Sequence, residues 1–227
     1  MPDFQIRLYQ APDQESVYKI AADTAFFGEP VEAFLDDRQL FCDMFIRHYL
    51  TDNEKYAWVA DDGAQVAGYL LGSTQNVIYS SHWWKNILFN VLPAGFKGNY
   101  HIGRRTIHYA TGMLAGYLKG EEPPVSLADY PAHLHINVRK EYRGAGLGAQ
   151  LINAYLSQLR AEGVKGVYLH TTSYNQAACH LYEKLGFDLL SNRPNRYWSQ
   201  WFGFSVDNRS YGLKLGQYQA SHEVPAI

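Results

Sequence analysis

The stretch HINVRKEYRGAGLGAQ, residues 135–150, decides the fold. With His133 and Leu134 before it, its first part predicts a strand over 133–139. A glycine-rich loop follows and opens a helix over 146–161, with Leu147, Leu151, Ile152, Tyr155, Leu156 and Leu159 as its buried face. Glycine lets the backbone approach a ligand closely and take unusual dihedrals. Free N–H groups at the helix start add the positive end of the dipole, so the site suits a phosphate or pyrophosphate. Arg143 contributes a fixed charge and a bidentate donor. A P-loop needs Lys-Ser/Thr after its last glycine, and here Ala149 and Gln150 follow Gly148. A dinucleotide fingerprint fits loosely as Gly144-x-Gly146-x-x-Ala149. It also wants an acid at the end of the next strand, where Leu169, His170 and Thr171 stand.

A second stretch, NQAACHLYEKLGF at 175–187, strengthens one reading. Asn175 opens a helix as a cap or as a cofactor partner. Ala178, Leu181, Tyr182 and Leu185 share one face, and Gly186 stops the helix before Phe187. Together the two stretches resemble the GCN5-related N-acetyltransferase (GNAT) family. Arg143, Gly146 and Gly148 match its Arg/Gln-x-x-Gly-x-Gly/Ala loop, and residues 175–187 match its Asn-x-x-Ala-x-x-Leu-Tyr-x-x-x-Gly-Phe signature. Lys140 stands where the family often has proline. The run YPAHLHINV at 130–138 is similar to the acetyltransferase-like domain attached to O-GlcNAcases and to free-standing bacterial relatives, which often carry aspartate where this chain has Asn137.

The resemblance implies a mixed, twisted α/β sheet of about six to seven strands with helices on both faces and a helical insertion. It also implies that the fourth and fifth strands splay to admit the pantetheine arm of acetyl-CoA. The loop Arg143, Gly144, Ala145, Gly146, Leu147 and Gly148 would hold the pyrophosphate. Backbone groups of Ile136, Asn137 and Val138 would pair with the pantetheine amides, and Asn175 and Tyr182 would complete the cofactor site. Tyr182 is also the expected proton donor to the leaving thiolate: a thiol near pKa ~8.5 and a tyrosine near ~10 make that step mildly uphill. Strand alternation puts His133, His135 and Asn137 on one face, and three polar residues there suit a wet cavity. Histidine titrates near neutrality, so His133 or His135 is the expected base for the amine.

The rest of the chain fits this frame. Strands are expected over 5–9, 56–60, 65–72, 165–171, 187–190 and 211–215, with an Asp-Gly hairpin turn at 61–64. The β-loop-α-β-α-β order of the second half argues independently for a mixed α/β domain with a parallel pair. One helix is expected to follow Pro12, and a long one to run over 31–50 with Phe34, Leu35, Phe41 and Phe45 inward. An aromatic insertion at about 74–130, with short helices over 81–91 and 105–118, either packs on the body or walls the substrate site. The 227 residues read as one domain.

With 47% hydrophobic residues, 15% aromatics and a formal charge of −2, the chain is neither disordered nor built to attract nucleic acid or anionic membrane. Two cysteines make no disulfide framework, and MPDFQIRLYQ lacks a signal-peptide pattern, so a cytoplasmic protein is expected. No metal site is expected, since His133, His135 and His170 lack an acidic or cysteine ligand. Cys179 reads as packing. The function implied is acetyl-CoA-dependent transfer to an unidentified amine by direct attack in a ternary complex. A non-catalytic acyl-CoA-binding pseudo-acetyltransferase is the rival, and homodimerisation is left open.

Overall fold

The turn at 61–64 forms through its aspartates. Asp61 Oδ1 accepts the Gly63 N–H at 2.9 Å, and Asp62 Oδ1 accepts those of Ala64 and Gln65 at 2.9 and 2.8 Å. Gly63 sits at φ +86°, the left-handed region such a turn requires. The structure, a computed structural model, describes residues 4–74 and 85–216. Among them the strands are β1 (Gln5–Leu8), β2 (Ala57–Asp61), β3 (Val66–Ser73), β4 (Ala132–Val138), β5 (Gly166–Thr172), β6 (Asp188–Pro194) and β7 (Asp207–Lys214). The α-helices are α1 (Gln14–Thr24), α2 (Arg38–Phe45), α3 (Arg47–Asp52), α4 (Leu92–Phe96), α5 (Arg104–Leu118), α6 (Leu147–Ala161), α7 (Gln176–Lys184) and α8 (Arg196–Phe202).

One sheet runs in the order β1-β2-β3-β4-β5-β7-β6. Every neighbouring pair is antiparallel except β4 and β5. β3 is buried along its whole length, as a central strand covered on both faces must be. Its two faces serve two cores, with an irregular register opposite Ala60 and Asp61. Ala67 and Leu70 pack with Leu151, Ile152 and Tyr155 of α6, and Tyr69 and Leu71 with Val17 and Ile20 of α1 and Tyr49 of α3. A third cluster joins Phe34 and Leu35 to Tyr197 and Trp198 of α8, with Tyr109 of α5 against it.

The β4–β5 pairing is short. It consists of Ala132↔Val167 and His133↔Tyr168, after which β4 continues with β3 and β5 with β7. The two strands therefore part from Leu134 and Leu169 onward, and a slot opens between them.

The single helix expected over 31–50 does not form. A 3-10 turn at Val31–Ala33 is followed by α2 and α3, separate helices meeting at Ile46. Two aspartates break the run. Asp37, at φ −137°, caps α2 by accepting the Leu40 N–H at 2.8 Å and also accepts that of His101 at 2.9 Å. Asp36 Oδ2 accepts both the N–H and the hydroxyl of Thr106 at 2.9 Å. An uninterrupted helix would forfeit the Asp37 cap. Helix α8 is an element the sequence reading did not contain; Asn195 caps it through the Trp198 N–H at 2.8 Å.

The insertion is tied to the body through those aspartates and through Glu121, which accepts the Arg196 guanidinium at 2.6 Å. α5 and α8 approach so closely that a Cβ on Gly112 would lie 2.2 Å from the Tyr197 ring. The helix expected over 105–118 is present as α5. Of the one expected over 81–91, residues 81–84 lie outside the described residues, as do Trp83 and Trp84, and the chain beyond is helical into α4.

Candidate active site

The parting of β4 and β5 leaves backbone groups of β4 without a sheet partner. Arg139 N donates to Ala67 O at 2.9 Å, so Arg139 faces β3, and so, by alternation, does Asn137. A Cβ on Gly68 would lie 3.0 Å from the Asn137 carbonyl oxygen, which places that carbonyl against β3. The N–H and C=O groups of Ile136 and Val138 face the slot. This corrects the sequence expectation for Asn137: its backbone belongs to the sheet, and only its side chain is available to the site.

At the outer end of the slot lies the glycine loop. Gly144 and Gly146 have φ of +84° and +78°, and Gly146 is the residue from which α6 starts. The first N–H groups of that helix have no intrahelical acceptor and carry the positive dipole end. Gly148 packs against α7, where an added Cβ would lie 3.1 Å from Leu181. Leu147 is buried at 1% exposure, so it can offer a ligand only its backbone. Arg143 donates from Nε to Val138 O at 3.3 Å and from Nη2 to Gly28 O at 3.2 Å. Nearby Lys140 Nζ pairs with Glu29 Oε1 at 2.9 Å. Two cationic side chains of this loop thus reach the segment that follows α1.

Inward from the loop lies a cavity of about 530 Å³, a size ordinary for small-molecule sites. His133, His135, Ile136, Asn137, Asn175 and Tyr182 all line it. Val138 and residues 143–148 are not among its lining residues; they adjoin it through Gly28 and Ile136, which are. Asn175 caps α7, accepting the Ala178 N–H at 3.4 Å. Tyr109 and Met113 of α5 close the far side, so the insertion both packs on the body and walls the cavity.

The polar face of β4 meets tyrosines that sequence reasoning did not single out. His133 Nδ1 lies 2.9 Å from the Tyr49 hydroxyl, and His135 Nε2 lies 3.2 Å from that of Tyr69. Asn137 Nδ2 donates to the Tyr69 hydroxyl at 3.0 Å and approaches His135 Nε2 at 3.3 Å. A carboxylate at 137 could not donate these bonds. His48 of α3 and His170 of β5 complete a group of four cavity-lining imidazoles. The sign that could have found Tyr69 is a tyrosine in an otherwise apolar strand.

Burial governs the titration of these groups. It pushes His48, His135 and His170 down to about 4, and His133, also facing His48, His135 and His170, well below its usual value. The expectation that a histidine here titrates near neutrality is corrected accordingly: the imidazoles are neutral, because the apolar surroundings disfavour their charged form. Tyr182, 6% exposed, is likewise raised by burial and stays a phenol. Its hydroxyl has no hydrogen-bond partner among the described residues, which leaves it available to a ligand. Cys179 is buried, with Sγ 3.6 Å from Thr172 O. Among the described residues no three His, Cys, Asp or Glu side chains gather to hold a metal, and no helix is long and apolar enough to cross a membrane.

Comparison with known proteins places this geometry. The chain is 22% identical over 185 residues to the protein O-GlcNAcase of Rattus norvegicus, an alignment covering 81% of this chain and 20% of that protein, so the chain spans about a fifth of that relative's length. It is 31% identical over 86 residues to the L-methionine sulfoximine/L-methionine sulfone acetyltransferase of Pseudomonas paraeruginosa, covering 37% of this chain and 50% of that one. Among solved structures, the crystal structure of SsHAT superposes with a TM-score of 0.69 and 26% identity over 95% of this chain and 100% of that chain. The yncA protein of Salmonella typhimurium, solved with its cofactor acetyl-CoA, shares the fold at a TM-score of 0.58 and 16% identity, over 99% of this chain and 98% of that chain. The profile of the acetyltransferase (GNAT) family matches residues 15–187, about three quarters of the sequence, and the chain belongs to that family.

Proposed function

We propose that this protein transfers the acetyl group of acetyl-CoA to an amine by direct attack within a ternary complex. The observation that carries the reading is the slot: an open β4 edge leads from a helix N-terminus with two left-handed glycines to a cavity lined by polar side chains. The N–H groups at the start of α6 and the Arg143 guanidinium bind the pyrophosphate. The slot-facing groups of Ile136 and Val138 pair with the pantetheine amides in the way a β5 strand otherwise would. One slot-facing N–H polarises the thioester carbonyl as charge develops on its oxygen.

Tyr182 supplies the proton that the departing thiolate takes. Burial raises its pKa, and the same surroundings disfavour the thiolate, so the transfer is decided by the difference between the two. His133 and His135, held neutral, line the amine's approach and orient it. Their Tyr49 and Tyr69 partners fix the rings. An imidazole pushed to about 4 is a weak proton sink, so positioning suits His135 better than the role of base.

Calorimetric titration with acetyl-CoA and coenzyme A release over a panel of primary amines test this together. Binding with turnover of at least one amine is expected. Binding without turnover on any amine would favour the non-catalytic module, and failure to bind acetyl-CoA would remove the reading.

A further inference from the structure

The main cavity adjoins a second space of about 470 Å³ between α2, α5 and α8. Phe45, Tyr109, Met113 and Glu122 line both. The outer walls of the second space are largely apolar, with Leu35, Met44, Leu114 and the Tyr197 ring. Glu122 therefore stands at the junction of a polar chamber and an apolar one.

Its neighbour Glu121 shows what a structural glutamate looks like here. Glu121 is 6% exposed and accepts the Arg196 backbone N–H at 3.1 Å as well as its guanidinium. Glu122 has no such ties. His170 Nε2 lies 3.9 Å from it, beyond hydrogen-bond length, and no Lys or Arg pairs with it among the described residues. Burial pushes its carboxyl above the usual range, toward a better proton acceptor. The surroundings repeat the pattern. Both His48 nitrogens, His170 Nδ1 and Thr172 Oγ1 are buried without partners among the described residues, and all three residues line the main cavity. Buried polar groups are normally satisfied, so several in one cavity point to a polar ligand. A part-buried carboxylate with no cationic partner among the described residues calls for a cation, and the space beyond it calls for an apolar body the size of an aromatic ring.

Building on the acetyl-transfer reading, we infer that Glu122 receives the acceptor's ammonium and takes its proton, and that the acceptor is a primary amine whose ring-sized apolar group sits between α2, α5 and α8. The ammonium gives one proton to the Glu122 carboxylate. The neutral nitrogen then bonds to the carbonyl carbon, the C–S bond breaks, and the thiolate takes the Tyr182 proton. The nitrogen's second departing proton restores the phenol. One proton leaves through Glu122, so an ammonium and a thioester become an amide, a thiol and a released proton.

The test compares acetylation of 2-phenylethylamine, ethylamine, ethanolamine and glucosamine by the full chain, alongside calorimetric titration of acetyl-CoA. 2-Phenylethylamine is expected to exceed the polar amines in kcat/KM by about 10²-fold, and Glu122→Gln to lower its kcat/KM by about 10²-fold with acetyl-CoA affinity unchanged. Glu122→Asp should recover part of the loss. Ala110→Trp, at an exposed position of α5 that lines the apolar space, should raise KM for 2-phenylethylamine about tenfold and leave that for ethylamine unaltered. Melting curves report folding, and if Glu122→Gln does not fold, Glu122→Asp and Ala110→Trp still decide. Equal use of polar amines, a fully active Glu122→Gln, or acetyl-CoA binding with no turnover of 2-phenylethylamine would overturn the inference and leave the family reading standing. Failure of the wild type to bind acetyl-CoA would overturn both.

Discussion

Gly146→Val separates backbone strain from ligand binding. Gly146 has φ +78°, and the nearest atom to an added Cβ is Gln150 Nε2 at 3.9 Å, so space is available and dihedral freedom is not. An L-residue held there costs about 1–2 kcal/mol, seen as a fall in melting temperature of about 2–4 °C per kcal/mol. Gly98, at φ +76° with nothing within 4 Å of an added Cβ, offers the same penalty away from the site, so Gly98→Val is the matched control. The ligand effect should be larger. Relief of the strain turns the first N–H groups of α6 away from the pyrophosphate, and one or two charge-assisted hydrogen bonds at about 1.5–3 kcal/mol each are lost. A rise in acetyl-CoA Kd of at least about tenfold for one bond, and of about 10²-fold or more for two, follows at about 1.4 kcal/mol per tenfold. Calorimetry gives the affinity and differential scanning the stability. Similar melting losses with weakened binding only in Gly146→Val are expected. Wild-type affinity in Gly146→Val would refute the assignment of this loop to the pyrophosphate.

Tyr182→Phe removes a hydroxyl with no partner among the described residues, so stability should hold while turnover falls about 10²-fold at unchanged acetyl-CoA affinity. His135→Ala should raise KM for the amine more than it lowers kcat, the signature of a positioning group; a pH–rate profile that loses a neutral limb would instead make it the base. The histidines also set an acid limit to stability. Their folded pKa values lie below the unfolded one near ~6.5, so between about pH 6.5 and pH 4 the unfolded chain binds more protons, and stability drops as pH falls through that window. Each contributes up to about 1.4 kcal/mol per pH unit there, and urea titrations at roughly pH 7 and pH 5 measure the sum. His48→Leu should leave stability near neutrality almost unaltered and reduce the slope by about one proton.

The second half of the fold was legible because its signals are local. The glycine loop, the Asn175 cap and the Gly186 stop each act within a few residues, and β4, α6, β5 and α7 lie within a residue or two of where those signals put them. The first half misled where a distant partner intervened. Nothing in the periodicity of residues 31–50 announces that Asp36 will accept Thr106, 70 residues on. The site divides the same way. His133, His135 and Tyr182 stand out on their own elements, but Tyr49 meets His133, 84 residues away in sequence, only because α3 packs on β3, the neighbour of β4. Glu122 carries no local signal, since its significance comes from three helices that wall the space beside it. Helix α8 had signals that went unread: the Asn195 cap and Gly203 at φ +75° bracket Tyr197, Trp198 and Phe202.

The bond from Arg143 to the Gly28 carbonyl bears on the order in which substrates add. A phosphate oxygen is a stronger acceptor for a guanidinium than a neutral carbonyl, so donor binding draws Arg143 off a segment whose Phe27 and Gly28 line the acceptor's cavity. Phe27 is the one non-glycine residue at positive φ among those described, at 51°, and it directly precedes the residue whose carbonyl Arg143 contacts. The acceptor then meets its wall in final form only after the donor is seated. The expected kinetics are those of an ordered sequence with acetyl-CoA first and coenzyme A last. Coenzyme A should inhibit competitively against acetyl-CoA and noncompetitively against the amine. In Arg143→Ala, where no side chain bridges the two segments, the order should relax toward random.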